Sequence, residues 1–426
     1  MQHQLTRDVK VGIIGIGAMG KGLVYQSHIT PGIRCMAVCD EKIERCISVL
    51  KWLDISYAVV SSIDEMNLTI KKDLVAICQD AQLMAKCDGL DAIIEASNSI
   101  GSAGENSITA LKHRKHLILM NSEIDLIFGP LLLQTAEENG VICTSCDGDQ
   151  YGSMKHLIRD LRQWGFELVM TGNIKGFLDR SSNPATIIPE ADKRNLDHRM
   201  CVSYTDGTKL NIEMAIIANA YGLSAPVPGM YGPRAQHVQD VLQCFDFNGI
   251  LNNKGPFVDY ILGSEPGGGV FAVGYCDNPY QQGMLAYYKM GSGPYYLFYR
   301  PYHLCHIEAM DTVLKAVKEG QALLQPKYGF KTNVYAYAKK DLNPGERLDG
   351  IGGYTCYGQI ENCDENISQQ GLPICLADGV ALKRGIAIHE KINLDDISFD
   401  AGRIDFELFL QALECSNKRQ ALSRHD

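Results

Sequence analysis

The sequence predicts an α/β protein in three parts, with boundaries near residues 150 and 330. Strand-like apolar runs alternate with helical stretches through residue 150, the rhythm of a parallel sheet covered on both faces. Gly15-Ile-Gly17-Ala-Met-Gly20 stands between the first such run and the first helix, where a glycine turn can meet a pyrophosphate. After residue 330 the texture changes to short β pieces broken by Asn343-Pro-Gly345, Gly350-Ile-Gly-Gly353 and Ala377-Asp-Gly379.

In chain order, Val9–Ile14 is predicted as the first strand and Ala18–Ile29 as the first helix. Ile33–Cys39 is the next strand, followed by a polar helix over Glu41–Leu53. Asp91–Ala96 and His116–Met120 are two more strands, separated by a helix around Asn106–His113. A helix over Asp125–Asn139 stops at Gly140, and Val141–Cys146 is the following strand. Beyond Tyr151 the rhythm loosens into an α+β pattern. It has helices at Met154–Trp164, Thr208–Tyr221 and Cys305–Glu319, strands near Glu167–Thr171 and Tyr295–Tyr299, and a loop-like stretch over Ser181–Arg199. Asp405–Ala421 closes the chain as an amphipathic helix.

Composition narrows the function classes. With 40 Lys+Arg against 50 Asp+Glu the net charge is −10, which disfavours a nucleic-acid partner bound through phosphate neutralisation. No apolar run reaches the roughly 18 residues of a membrane helix, so no membrane partner is expected. The polar start Met1–Lys10 has no apolar core of a secretory signal. The 15 cysteines are scattered and odd in number, so they read as reduced thiols of a cytoplasmic protein. Cys143 and Cys146 form the one C-x-x-C, without the second pair that a zinc site would need.

The glycine motif carries the first chemistry. Gly15 permits the tight turn, Gly17 lets backbone approach a pyrophosphate, and Gly20 lets helix and strand pack closely. Asp40 ends the second strand 20 residues after Gly20, the place from which an acidic residue accepts bonds from an adenosine ribose. NAD is therefore favoured slightly over NADP, although Lys42 and Arg45 just beyond offer a 2′-phosphate two cations. Ala18 and Met19 in the turn, and Ser97 and Asn98 after a strand, complete the expected cofactor contacts.

Further candidates follow strand ends, where open α/β sheets place ligands. Glu123 and Asp125 follow His116–Met120, and Asp149 follows Val141–Cys146; they would hold substrate hydroxyls, orient a base or hold a divalent ion. Lys209 and Glu213 are four apart and share one face of the helix that starts after Asp206-Gly207. A lysine at the mouth of a closed site can relay a proton to a reacting oxygen, so Lys209 is the expected acid/base, oriented by Asp206 or Glu213. Lys175, Tyr302 and His303 are candidate substrate contacts. His303, Cys305 and His306 lack a fourth ligand at zinc spacing, and no metal is expected.

Taken together, these segments resemble the NAD(P)-dependent oxidoreductases with a homoserine-dehydrogenase-like Rossmann domain and a C-terminal SAF domain, the 1-deoxy-D-xylulose 5-phosphate reductoisomerase-like family. The residues that carry the resemblance are the glycine motif, Asn121-Ser-Glu123-Ile-Asp125 with Gly129-Pro130, Gly148-Asp149-Gln150, Asp206-Gly-Thr-Lys209 with Glu213 and Asn219, Gly229-Met-Tyr-Gly-Pro233, Tyr299-Arg-Pro-Tyr302-His303 with Glu308, and Leu342-Asn-Pro-Gly-Glu346 with Leu372-Pro-Ile-Cys-Leu376. The resemblance implies a Rossmann domain over 1–150, a catalytic domain over 151–330 and an SAF-like module over 331–426. It also implies hydride transfer to or from a small polyol, sugar acid or sugar phosphate in a homo-oligomer. A reductoisomerase, or an NAD-binding sensor without catalysis, is the alternative. The family's homoserine dehydrogenases carry Asn-x-Lys where this chain has Asn121-Ser-Glu123, which leaves the proton relay to Lys209.

Overall fold

The computed structural model describes residues 7–193, 197–363 and 371–423. The expectations on residues 1–6, 194–196, 364–370 and 424–426 lie outside the described residues. The chain divides into two compact units, each assembled from separate stretches of sequence. The first comprises residues 1–149, 304–325 and 404–416; the second holds the remainder.

In the first unit, β1 (Val9–Ile14), α1 (Ala18–Ile29), β2 (Ile33–Cys39) and α2 (Ile43–Trp52) follow the sequence prediction. They are followed by β3 (Tyr57–Val59), α3 (Ile63–Lys71), β4 (Val75–Cys78) and α4 (Ala81–Lys86), which the periodicity does not mark. The series ends with β5 (Ala92–Glu95), α5 (Gly101–Lys112), β6 (His116–Leu119), α6 (Ser122–Asn139) and β7 (Cys143–Ser145). The seven strands form a sheet in the order β3-β4-β2-β1-β5-β6-β7, with every pairing parallel. This is a Rossmann-like α/β unit. The connections run outward in one direction from β1 and in the other from β5. The carboxyl ends of these two strands therefore flank the switch point, where such sheets take ligands.

The second unit opens with α7 (Gln150–Gln163) and β8 (Glu167–Lys175), and continues through α8 (Ile188–Lys193), α9 (His198–Thr205) and α10 (Thr208–Tyr221). The stretch expected as loop over Ser181–Arg199 thus contains α8 and the start of α9. After α11 (Val241–Cys244) and α12 (Phe247–Lys254) come β9 (Phe257–Leu262), β10 (Val270–Tyr275), α13 (Pro279–Tyr287) and β11 (Tyr295–Arg300). These strands make a mixed sheet in the order β11-β10-β8-β9, parallel only between β8 and β9. Its buried face gathers Met170, Ile174, Phe257, Ile261, Phe271 and Val273.

The chain then returns to the first unit with α14 (Cys305–Leu314). Ala309, Met310 and Val313 of α14 enter the same apolar cluster as Leu23 and Val24 of α1. The β pieces after residue 330 belong to the second unit. They are a hairpin-like pair, β12 (Thr332–Ala338) and β13 (Cys356–Asn362), and a short pair, β14 (Ala381–Leu382) and β15 (Ile397–Ser398). The last helix, α15, spans Ile404–Ser423. No described helix is long and apolar enough to cross a membrane.

Every residue of α10 from Thr208 to Ala220 is buried, so its polar side chains need partners inside the protein. The β12–β13 pair supplies several. Gly358 N–H donates to Thr208 Oγ1 at 2.9 Å, Ile360 N–H to Asn211 Oδ1 at 2.9 Å, and Thr332 N–H to Asn219 Oδ1 at 2.8 Å. Just ahead of α10, Asp206 forms a buried ion pair with Lys339 at 2.8 Å. The same ammonium donates to the Ser182 and Gly353 carbonyls at 2.7 and 2.9 Å. All three donor positions of Lys339 are therefore used.

Removing one partner of such a pair strands the other charge in a dry interior, at a cost of about 3–5 kcal/mol. Lys339→Met is expected to lower the unfolding free energy by that amount in urea titrations, whereas Lys340→Met next to it, whose ion pair is exposed, is expected to have little effect.

Candidate functional site

The first unit presents a dinucleotide-type turn at the end of β1. Gly15 has φ +87°, a conformation that favours glycine. A Cβ there would meet the backbone of Ser97 on the loop after β5. Gly20 is packed against the Gly15 carbonyl, while the space beside Gly17 is open, with no atom within 4 Å of where a Cβ would stand. Gly17 caps α1 without a side-chain hydrogen bond, and the first turn, with Ala18 and Met19, holds no acidic residue. That leaves its backbone N–H groups for an anion.

Asp40 anchors this turn. One carboxylate oxygen accepts from Ile16 N–H at 2.7 Å and the other from Lys42 N–H at 2.8 Å. Arg45 lies 3.6 Å from the same carboxylate. Ser97 is half-buried and donates both N–H and hydroxyl to Glu95 Oε1, at 2.8 and 2.5 Å, while Asn98 is exposed. These features fit a bound dinucleotide. Gly15, Gly17 and the α1 amides would hold its pyrophosphate, and Asp40 would read its ribose.

Two further predicted residues sit in the first turn of α6. Asn121 caps that helix by accepting from Ile124 N–H at 3.3 Å, and its amide donates to the Ser99 carbonyl at 2.8 Å. Glu123 is half-buried and accepts from the Ser122 hydroxyl at 3.2 Å. Asp125 is buried and accepts from Ser145 Oγ at 2.5 Å. Burial pushes its carboxyl up to about 7, and the Ser145 bond pulls only partly against that. Asp149, the last residue of the first unit, is buried after β7.

The second unit gathers a polar cluster around Gln150, the first residue of α7. With the Gln150 amide turned to match its neighbours, its oxygen accepts from Asn173 Nδ2 and Lys175 Nζ at 3.3 Å each, and its nitrogen faces the Glu213 carboxylate. The same carboxamide lies 3.4 Å from His303 Nε2. Asn173 and Lys175 are two apart on β8, so they share one face of the strand. Lys209 and Glu213, 7% and 2% exposed, share a face of α10. Lys175, Glu213 and His303 are thereby brought together as the sequence suggests.

Other candidates lie elsewhere. Asp206 is engaged with Lys339 and accepts from Thr208 N–H at 2.8 Å. Tyr302 is 52% exposed, and its ring stacks on the Arg300 guanidinium at 4.5 Å. Sequence reasoning misses Gln150 and Asn173, since amides carry no charge pattern. The signals that could have found them are the Gly148-Asp149-Gln150 turn and the two-residue spacing from Lys175.

Comparison with known proteins bears on both units. Residues 148–309 match the family model described as the catalytic domain of oxidoreductase DRL. Over that stretch the chain is similar to an oxidoreductase catalytic domain. The chain is also similar to a probable dehydrogenase from Thermotoga maritima, with 12% identity, 74% of this chain and 90% of that chain covered, and a TM-score of 0.42. A putative myo-inositol dehydrogenase from Sinorhizobium meliloti 1021 gives 9%, 74%, 90% and 0.40. The 1-deoxy-D-xylulose 5-phosphate reductoisomerase from Zymomonas mobilis, crystallised with NADPH, gives 16%, 49%, 57% and 0.34. Likenesses this distant do not fix what the chain acts on. No curated protein matches the chain in sequence.

The turn geometry makes cofactor choice testable. Asp40→Ser removes the carboxylate expected from the sequence to read the ribose and frees Arg45, so the NADP/NAD affinity ratio is expected to rise at least about tenfold, or 1.4 kcal/mol, in fluorescence titrations. A wild-type preference for NADPH of that size would show instead that Arg45 and Lys42 dominate.

Asp125 supplies a pH signature. Its folded pKa of about 7 exceeds the unfolded value of about 3.9, so the folded state holds the proton longer. The stability it contributes is fully present below about pH 3.9 and is lost as pH rises through 7. The difference in unfolding free energy between wild type and Asp125→Asn is expected to change in that sense between pH 4 and 7. A difference independent of pH would show that Asp125 is ionised in the fold.

Proposed function

We propose that the chain is an NAD(P)-dependent oxidoreductase that interconverts a carbinol and a carbonyl on a small hydroxy or keto compound, such as a polyol, sugar acid or sugar phosphate. The nicotinamide of the bound dinucleotide supplies or accepts the hydride. The observation that carries this reading is the partly buried polar cluster of the second unit, inside the stretch that matches an oxidoreductase catalytic domain. An amide, a carboxylate, an ammonium and an imidazole converge around Gln150, and these are the kinds of group that bind polar substituents and move protons.

In this reading Lys209 holds the proton that the substrate oxygen gains on reduction and takes it back on oxidation. Its place in the first turn of α10, at the positive end of the helix, gives little stability reason for a cation there. Glu213, one turn on, sets the field around it. Lys175 and His303 bind and orient polar substituents of the substrate through ammonium and imidazole donors. Gln150 fixes Lys175 and Glu213 relative to each other. Glu123, Asp125 and Asp149 are assigned to substrate hydroxyls, and Tyr302 to the substrate's outer end.

The resemblance noted in the sequence supports a homoserine-dehydrogenase-like origin for the first unit, an SAF-like role for residues 331–426, and a homo-oligomer; we hold these as part of the same proposal. The scattered, odd-numbered cysteines of the sequence support a reducing compartment such as the cytoplasm.

The test is a screen of NADH and NADPH oxidation over small keto acids and sugar phosphates, followed by Lys209→Ala on the substrate found. Turnover is expected to fall by about 10²–10⁴-fold, the size of a general acid–base contribution, with dinucleotide affinity unchanged. A loss under about fivefold would move the proton relay to Lys175 or His303.

A further inference from the structure

At the switch point of the first unit a carboxyl group is buried in the sheet. Glu95 ends β5, is fully buried, and pairs in register with Ile14, the residue just before the glycine turn. Adjacent strands lie about 4.8 Å apart, so Glu95 stands one strand from the turn that fits a pyrophosphate. Its Oε1 takes both Ser97 bonds. Its Oε2 is buried and has no hydrogen-bond partner among the described residues.

The loop that Glu95 clamps is held from several sides. Ala96 N–H donates to the Ile14 carbonyl at 2.8 Å, Ser99 N–H to Ser97 Oγ at 3.3 Å, and Asn121 to the Ser99 carbonyl. Ser97 backbone fills the space where Gly15 would otherwise carry a side chain. The position of Ser97 therefore sets the wall opposite the pyrophosphate turn, and Glu95 sets the position of Ser97.

We propose that Glu95 is a positioning residue for the dinucleotide, holding the Ala96–Ile100 loop against the glycine turn, and that it does so in its uncharged form. This rests on the dinucleotide reading of the first unit. A neutral carboxyl still accepts both Ser97 bonds through Oε1. An ionised one would place an unsolvated negative charge beside the site for a diphosphate, where a low dielectric makes repulsion strong.

The surroundings agree. Burial pushes the Glu95 carboxyl up to about 7, and only Ser97 and Asn121 pull the other way. No ionisable side chain lies at this end of β1 or β6. The charged groups on neighbouring elements are Lys21 on α1, Asp40, Glu41 and Lys42 after β2, Glu44 and Arg45 on α2, Asp80 after β4, Glu123 and Asp125 in the first turn of α6, Asp147 and Asp149 after β7, and Asp405, which lies against Gly101. Of these, Asp125 is also shifted to about 7, so a pH response has to be assigned by substitution.

With a pKa near 7, the neutral fraction falls from about 0.9 at pH 6 to about 0.03 at pH 8.5, and apparent affinity scales with that competent fraction. NADH and NADPH binding to the full chain, followed by nicotinamide fluorescence, is expected to weaken up to about thirtyfold over this range. Glu95→Gln, which keeps the acceptor for Ser97 and cannot ionise, should bind at the wild-type pH 6 affinity throughout. Glu95→Ala, which releases the loop, should bind weakly at every pH, with the melting temperature recorded to show that it folds. A pH-independent wild-type affinity overturns the proposal, and so does a Glu95→Gln protein that keeps the wild-type pH response; the latter assigns it to Asp125. A wild-type chain that binds neither dinucleotide at any pH overturns the dinucleotide reading itself.

Discussion

A helix buried on all sides cannot carry a polar side chain without an answer for it, and α10 carries several. Desolvating an unmatched amide or hydroxyl costs about 1–3 kcal/mol, and an unmatched charge costs far more. The second unit is built around those answers. Thr208, Asn211 and Asn219 take backbone N–H groups from the β12–β13 pair, and Asp206 takes the ammonium of Lys339. The C-terminal β pieces are thus part of the internal solvation of α10. Lys209 and Glu213 are fixed because the helix that bears them is.

The first unit meets a different constraint, that of a backbone turn which must stay open to a ligand and still be rigid. Glycines supply the openness at Gly17 and the left-handed φ at Gly15. Rigidity comes from two carboxyl groups at the strand ends on either side. Asp40 pins Ile16 from β2, and Glu95 pins Ser97 from β5. One mostly buried carboxylate accepts two backbone N–H bonds and has an arginine nearby; the other has no cation on it. Two acidic side chains thereby hold two parts of the turn region, each in its own surroundings.

How much of this can be read from the sequence depends on the range of each interaction. The glycine turn, the strands β1, β2 and β5 to β7, and the helix α10 are marked by local pattern, because turn chemistry and side-chain period act over a few residues. In the region 53–91, β3 is three residues long and not fully buried, so it leaves little apolar signal, whereas β4 is a buried apolar run of the same length as β5 and β6 and is passed over. Proximity in the chain suggests Asp206 as a partner for Lys209. Its actual partner, Lys339, is 133 residues away, a pairing that only tertiary packing decides. Gln150 and Asn173 escape sequence reasoning for the same reason, because a neutral amide shows its importance only through the charges packed around it.

The two units also answer the burial of charge in opposite ways, and the difference bears on chemistry. In the first unit, Glu95 and Asp125 have no cation partner among the described residues, and desolvation holds each near neutrality against the bonds from Ser97 and Ser145. In the second, Asp206 is buried as deeply, but Lys339 pulls against the desolvation that raises it. Isolated acids with pKa values near 7 can change charge within the physiological range, whereas a salt-bridged acid resists doing so. A protein that needed only stability could replace the lone carboxyls with amides and keep the serine contacts. Glu95 stands at the carboxyl end of β5 and Asp125 in the first turn of the helix that follows β6, on the side of the sheet where Rossmann-like units take their ligands.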